Sequence, residues 1–198
     1  AFEYQAPDEW RLDRQLANYA NQLAIPCQMV DSEHFYSRRD EAAELFAERK
    51  QWLMEHFYRQ MRTRHGVLMS ANGKPLGGQW NFDHDNRKPW PGLPREPSDW
   101  RGEHDHSALW QSIQQAGVAS FGEPSAQHFR WPLNRAEALQ QLDDFIAEAL
   151  PNFGDFEDAM SHRAWRLFHS LLSFALNTKM LNPREVVAKA AEAHEAGR

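Results

Sequence analysis

The stretch Gly73–Pro91, GKPLGGQWNFDHDNRKPWP, constrains this chain more than any other. Its density of Gly, Pro and Asn excludes a regular helix or strand. It nevertheless carries Trp80, Phe82 and Trp90, more aromatic surface than a flexible linker leaves in water. A long irregular segment of this kind is expected to be an ordered connector, packed on the parts it joins. The rest of the chain has to supply those parts.

Ahead of the connector, Phe2 and Tyr4 alternate as in the end of a strand. Pro7-Asp8 then predicts a helix start with Asp8 as N-cap, and Leu12, Leu16, Tyr19, Ala20 and Leu23 share one face. The apolar run from Ile25 to Val30 predicts a second strand. Strand, helix, strand is a piece of an α/β unit, and two short strands do not make a stable sheet alone. The chain therefore reads as part of a longer polypeptide. From Asp40 to about Arg64 the pattern predicts one long helix, with Leu45, Phe46, Trp52, Leu53, Phe57 and Met61 on its apolar face and Gly66 closing it. Arg59, Arg62 and Arg64 near its end read either as a solvated face complementing the helix dipole or as phosphate contacts.

Beyond the connector and a second irregular region around Pro94 and Pro97, a helix is expected from about Asp105 to Ala116. A stronger one follows Asn134, which has Glu137 three residues on and a stripe of Ala138, Leu139, Leu142, Phe145, Ile146 and Leu150. Pro151 and Gly154 are expected to break it. A short helix at Asp155–Ser161 and another from about Ala164 to Lys179 follow in the prediction. Asn182-Pro183-Arg184-Glu185 marks a further helix start, running to about Gly197.

Composition narrows the function classes. No run of about 18 apolar residues is present, so no membrane-spanning helix is expected. No charged segment followed by an apolar one opens the sequence. Cys27 is the single cysteine, which excludes an internal disulfide or a Cys-ligated cluster within these residues and suits a reducing cytoplasm. A net charge of −6 leaves any nucleic-acid contact to a local patch. Familiar catalytic motifs are missing: GxSxG, HExxH, P-loop and GxGxxG. The acidic pairs Asp143/Asp144 and Asp155/Asp158 read as exposed faces or caps. His104 and His106, with Asp83, His84 and Asp85 upstream, are the nearest approach to a metal set. Ser170 and Ser173, beside His169, place two hydroxyls three residues apart near an expected helix start. That arrangement suits a phosphate, and equally suits serines that cap or back-bond within their own helix.

The segment HSLLSFALNTKMLNPREV, beginning at His169, resembles the flavin-domain motif TSRLSPYLALGxLSPRxV of the photolyase/cryptochrome superfamily. Ser170, Leu172, Ser173, Leu176, Leu181, Pro183 and Arg184 match it, whereas His169, Leu171, Phe174 and Lys179 depart from it. LPNFGDFEDAM, MEHFYRQMRTRHGVLM and above all KPLGGQWNFDHDNRK are similar to the iron–sulfur bacterial branch, the deoxyribodipyrimidine photolyase-related proteins.

The resemblance implies a mainly α fold. Residues 1–31 would be the C-terminal remnant of an α/β antenna domain. Residues 32–133 would be an interdomain long helix and irregular connector, and 134–198 the incomplete start of a helical FAD-binding domain. It implies FAD contacts at His169, Ser170, Leu171, Leu172 and Ser173, with Phe156 where an aromatic, commonly Tyr, borders the flavin. Arg87 and Lys88 become candidates for DNA phosphate contacts, against a structural role for the same segment through Trp80 and Phe82. An iron–sulfur cluster and a ribityllumazine antenna are implied for the parent protein, with ligands outside this chain. The implied activity is blue-light repair of pyrimidine photoproducts in damaged DNA, of the (6-4) type, by electron transfer from FAD. The alternatives are a cryptochrome-type photoreceptor without repair, and a helical interaction module without cofactor. These residues alone are expected to be inactive and to bind FAD weakly or not at all.

Overall fold

The computed structural model describes residues 1–197, and the backbone divides into two compact units, Ala1–Gly78 and a second beginning at Gln79. The fold is mainly helical, with two short strands.

In the first unit, β1 (Phe2–Gln5) and β2 (Cys27–Val30) pair in parallel, from Phe2 opposite Cys27 to Gln5 opposite Val30. The connection between them is α1 (Trp10–Gln22), the crossover that a parallel pair requires. Asp8 is not its cap. Arg39 draws Asp8 into an ion pair (3.1 Å) and also takes the Pro7 carbonyl, and Glu9 caps the helix by accepting from the amides of Arg11 and Leu12. Both expected strands form, but the apolar face of α1 is only partly covered, with Leu16, Ala20 and Leu23 half-buried and Tyr19 against the edge of Phe2. The helix has no buried residue, every residue of β2 is exposed, and Ala6 and Phe46 are the buried hydrophobics of this unit.

The single long helix predicted over 40–64 is two: α2 (Glu41–Phe46) and α3 (Met54–His65). Phe46 and Trp52 stack at 5.5 Å across the break. Six residues apart in a continuous helix, at about 100° each, they would point well away from each other, so their contact requires the chain to turn. The intervening Glu48, Arg49, Lys50 and Gln51 have no apolar group to bury as helix. Gly66 ends α3 in the left-handed conformation (φ 66°). Arg62 settles the question of the basic helix end: it is buried and donates to the Val67 and Leu68 carbonyls and to the Tyr58 hydroxyl. Arg59 bonds Glu55 and Arg64 pairs with the buried Glu41.

The second unit holds the main core. α4 (Ser107–Gln115) lies within the expected range. α5 (Arg135–Asp144) starts as expected, with the Asn134 side chain accepting from the Glu137 amide. Pro151 and Gly154 do not end the helical run. A π-helical turn, Phe145–Ala149, shifts the Leu150 amide onto the Phe145 carbonyl. The widened turn lets Pro151 enter the first turn of α6 (Leu150–Phe156), where its missing N–H is not needed, and Gly154 stays helical. The helix predicted at 155–161 is absent beyond Phe156, because the Asp158 amide bonds the Asn86 carbonyl instead of continuing the turn. The helix predicted over 164–179 shrinks to α7 (Ser173–Asn177). Asn182 and Glu185 form a complete capping box for α8 (Pro183–Glu195). Leu142, Phe145 and Ile146 of the stripe pack with Phe156, Phe168, Leu172, Leu181 and Ala193 in one cluster.

Candidate functional site

Of the residues singled out from the sequence, Phe156 ends α6, Ser173 opens α7, Arg87 and Lys88 lie in the connector, and His169, Ser170, Leu171 and Leu172 lie on a loop, Ala164–Leu172, where a helix was expected. Two leucines on it, Leu167 (φ 51°) and Leu171 (φ 58°), take the left-handed conformation. For an L-residue with a side chain this costs about 1–2 kcal/mol each, so neighbouring groups must impose it. At Leu167 the imposing group is Glu96, whose carboxylate accepts from the amides of both Arg166 (3.3 Å) and Leu167 (3.0 Å). At Leu171 it is Gln141, buried on α5, whose amide nitrogen donates to the Leu171 carbonyl at 2.8 Å and to the Ser170 carbonyl at 3.5 Å.

This loop sets the environment of each candidate. Phe156 is buried and stacks on Phe168 at 5.5 Å, so its ring belongs to the core beside the loop. Leu172 is buried, Ser170 and Leu171 are half-buried, and His169 and Ser173 are exposed. His169 meets the edge of Phe153 at 6.2 Å. The Ser170 hydroxyl accepts a long bond from the Leu172 amide (3.4 Å). Ser173 opens a helix of five residues, too short for a dipole to matter; the polar groups on offer are the loop's own hydroxyls and amides.

The connector grips this region at successive points. Lys88 donates its amide to the Asp155 carbonyl and pairs through its ammonium with the Asp155 carboxylate (2.6 Å). Arg87 pairs with Asp158 (3.3 Å). The two candidate phosphate ligands are therefore exposed and adjacent to Phe156, and both already face carboxylates. Phe82 is 47% exposed, so the segment's grip comes from residues 86–88 and from Trp90, which packs against the core and faces Arg163, and not from the Phe82 ring.

Further along, Arg166 is buried, with its guanidinium 3.8 Å from the Trp100 ring centre and Nη2 donating to the carbonyls of Pro97 and Ser98. Burial pushes the Arg166 pKa down, partly offset by Asp99 and Glu96. Arg101 lies between Trp131 (4.9 Å) and Trp165 (5.0 Å) and makes a bidentate pair with Asp99, which also accepts from Arg130 (2.8 Å). Hydrogen bonds from Arg101 first, opposed by burial and reinforced by Arg130, hold the Asp99 carboxyl far below the usual carboxylate range. His104 bonds Glu137 at 3.1 Å, and His106 meets the edge of Phe129 at 5.3 Å.

Among the described residues no group of three or more His, Cys, Asp or Glu could hold a metal ion. The acidic pairs are spoken for as well: Asp143 pairs with Lys189, Asp155 with Lys88 and Asp158 with Arg87. The sequence reading missed Gln141, Glu96 and Arg166. Gln141 had a visible signal, a polar residue three positions after Ala138 and one before Leu142 in an otherwise apolar stripe. Glu96 and Arg166 had none, since their partnership spans 70 residues.

A model of the family described as deoxyribodipyrimidine photo-lyase-related protein matches residues 1–131. A (6-4) photolyase of Agrobacterium fabrum is 33% identical over 198 residues, an alignment covering 96% of this chain and 38% of that protein. The chain thus spans well under half the length of this relative. No helix among the described residues is long and apolar enough to cross a membrane.

Proposed function

This chain belongs to the deoxyribodipyrimidine photo-lyase-related protein family, and on that premise we propose that it is the middle part of a flavin-dependent, light-driven DNA photolyase. In this reading Ser170–Ser173, with His169 and the neighbouring Phe156, line part of an FAD site. The reaction is repair of a pyrimidine photoproduct of the (6-4) type in damaged DNA.

The observation that carries the reading is the loop at Ser170–Ser173. No protein partner is found for the Leu171 and Ser173 amides among the described residues, and the one recorded contact of the Ser170 hydroxyl is long and local. A left-handed Leu171 followed by a right-handed Leu172 (φ −83°, ψ −6°) is the alternation that turns successive N–H groups toward an anion. A diphosphate suits that donor set. When bound, FAD would supply the light-driven electron transfer, and this chain's residues would bind and orient it. Leu172 and Phe156 exclude water behind the loop, while Ser170 offers its hydroxyl. Phe156, without the hydroxyl of a Tyr, contributes shape alone.

The partly exposed apolar face of α1 and the exposed β2 support a further part of the reading, that more strands complete this sheet as the antenna domain. The iron–sulfur cluster and the ribityllumazine antenna are proposed for the remainder of the polypeptide. A photoreceptor without repair activity is favoured by one observation: Arg87 and Lys88 face Asp158 and Asp155, which weakens a phosphate-binding role.

The test uses the full-length protein. Stoichiometric flavin that falls with Ser170→Ala plus Ser173→Ala supports the site. Blue illumination with lesion-bearing oligonucleotides then separates the activities: loss of lesion supports repair, and flavin photoreduction without lesion loss supports sensing. Flavin content unchanged by the double substitution would refute the site.

A further inference from the structure

We propose that Gln141 is a positioning residue that fixes the polarity of the Ser170–Leu172 backbone, so that its amide N–H groups and not its carbonyls face the flavin diphosphate. The inference rests on the reading of this loop as an FAD site.

Gln141 is 3% exposed and stands on α5, whose start is set by the Asn134 cap and whose apolar face is locked in the core. Its Nε2 carries two N–H donors, and both have acceptors: the Leu171 carbonyl at 2.8 Å and the Ser170 carbonyl at 3.5 Å. This pairing also fixes the orientation of the amide, because the flipped form would set Oε1 against two carbonyl oxygens.

A trans peptide is planar, and its C=O and N–H point in opposite directions. Drawing the Ser170 carbonyl toward Gln141 turns the Leu171 N–H away from Gln141, and drawing the Leu171 carbonyl does the same for the Leu172 N–H. One buried side chain thereby turns two consecutive donors away from itself: the uncommitted Leu171 N–H, and the Leu172 N–H, which makes only the long local contact to the Ser170 hydroxyl (3.4 Å) and could exchange it for an anion. Gln141 also holds Leu171 in its left-handed conformation, which with the right-handed Leu172 makes the concave turn of N–H groups that suits an anion. Released from Gln141, either peptide can turn over and present a carbonyl oxygen to an anion, which repels it. Gln141 touches no ligand in this scheme; it acts through the loop.

The experiment titrates flavin-free full-length protein with FAD and, separately, with riboflavin, which lacks the phosphates. Gln141→Leu removes the donors, and Gln141→Glu sets a carboxylate against the two carbonyls. Each is expected to weaken FAD about tenfold, the size of one lost hydrogen bond to a charged group, and to leave riboflavin affinity unchanged. Equal losses for the two flavins would show Gln141 serving only the fold and would overturn the inference, as would FAD affinity unchanged in both variants. A measurement on the wild type stands even if the variants misfold. Adding inorganic pyrophosphate should shift the Leu171 and Leu172 amide resonances selectively, and their indifference would also overturn it. A wild-type protein that takes up neither flavin would overturn the reading of the loop, and this inference with it.

Discussion

Replacing Asp99 by Asn tests whether the irregular stretch that follows the connector is held to its surroundings by charge. The Asp99 carboxylate accepts from Arg101 Nε (2.9 Å), Arg101 Nη2 (3.0 Å) and Arg130 Nη1 (2.8 Å), and the two members of its main pair are only 18% and 10% exposed. Breaking a fully buried pair from one side costs about 3–5 kcal/mol, because the remaining charge is left uncompensated. Two features lower that here. Asp99 keeps some contact with solvent, and Arg130 can fall back on Glu103, which it already bonds at 3.0 Å. Arg101 has no such alternative, lying between Trp131 and Trp165. The expected loss is about 2 kcal/mol at neutral pH. The sign with pH follows from the depressed carboxyl. Its folded pKa is below the unfolded value of about 3.9, so its stabilisation is full above that value and declines as pH falls toward the folded pKa. Urea midpoints for wild type and Asp99→Asn, taken near pH 7 and again near about pH 3, should therefore converge on acidification. A neutral-pH difference below about 0.5 kcal/mol, the size of an ordinary surface change, would refute the argument, as would a gap that does not narrow.

Other substitutions probe the remaining supports. Leu142→Ala, at a fully buried position, should lower unfolding free energy by about 2–5 kcal/mol in urea denaturation. Asn182→Ala removes one half of the α8 capping box and should cost about 1 kcal/mol, read as a lower thermal midpoint. Arg87→Ala and Lys88→Ala break exposed pairs and should change stability by less than about 1 kcal/mol each. If the same residues contact DNA, each change should reduce the salt dependence of binding by the equivalent of about one phosphate, measured by titration at several salt concentrations. Leu171→Gly relieves the left-handed backbone but loosens the loop, so thermal stability should change little while FAD affinity falls.

What could be read ahead of the structure was whatever is encoded locally. Both strands, the α3 terminus at Gly66, and the starts at Asn134 and Asn182 depend on residues within a few positions of one another, and they stand as expected. Three of the errors share a cause, unlike the split of the helix over 40–64 and the passage of Pro151 and Gly154 into α6, which have local ones. Asp8 failed as a cap because Arg39, 31 residues away, takes it. The helix after Phe156 failed because Asn86 takes the Asp158 amide, and the helix from Ala164 because Glu96 takes two amides in a row. Propensity was outbid each time by a partner that sequence proximity does not reveal. The site shows the same division. The motif proposes Ser170 and Ser173, whereas nothing local indicates that Leu171 is left-handed or that Gln141 holds it.

The aromatic connector gains a definite physical role from these errors. Its backbone at 86–88 occupies the groups at 155–158 that would have extended α6 past Phe156. Glu96 then binds the amides at 166 and 167, Pro97 and Ser98 receive the Arg166 guanidinium, and Asp99 and Arg101 bind Arg130, Trp131 and Trp165. A helix through 164–172 would consume its own amides in i to i−4 bonds and leave none for a ligand. By taking the amides at 166 and 167, Glu96, in the irregular stretch that follows the connector, keeps that segment non-helical and the N–H groups at 171 and 173 uncommitted. Its contribution to the proposed FAD site is therefore indirect. In that reading neither the connector nor the stretch after it need touch the cofactor, because the Glu96 contacts keep the proposed binding loop from closing into a helix.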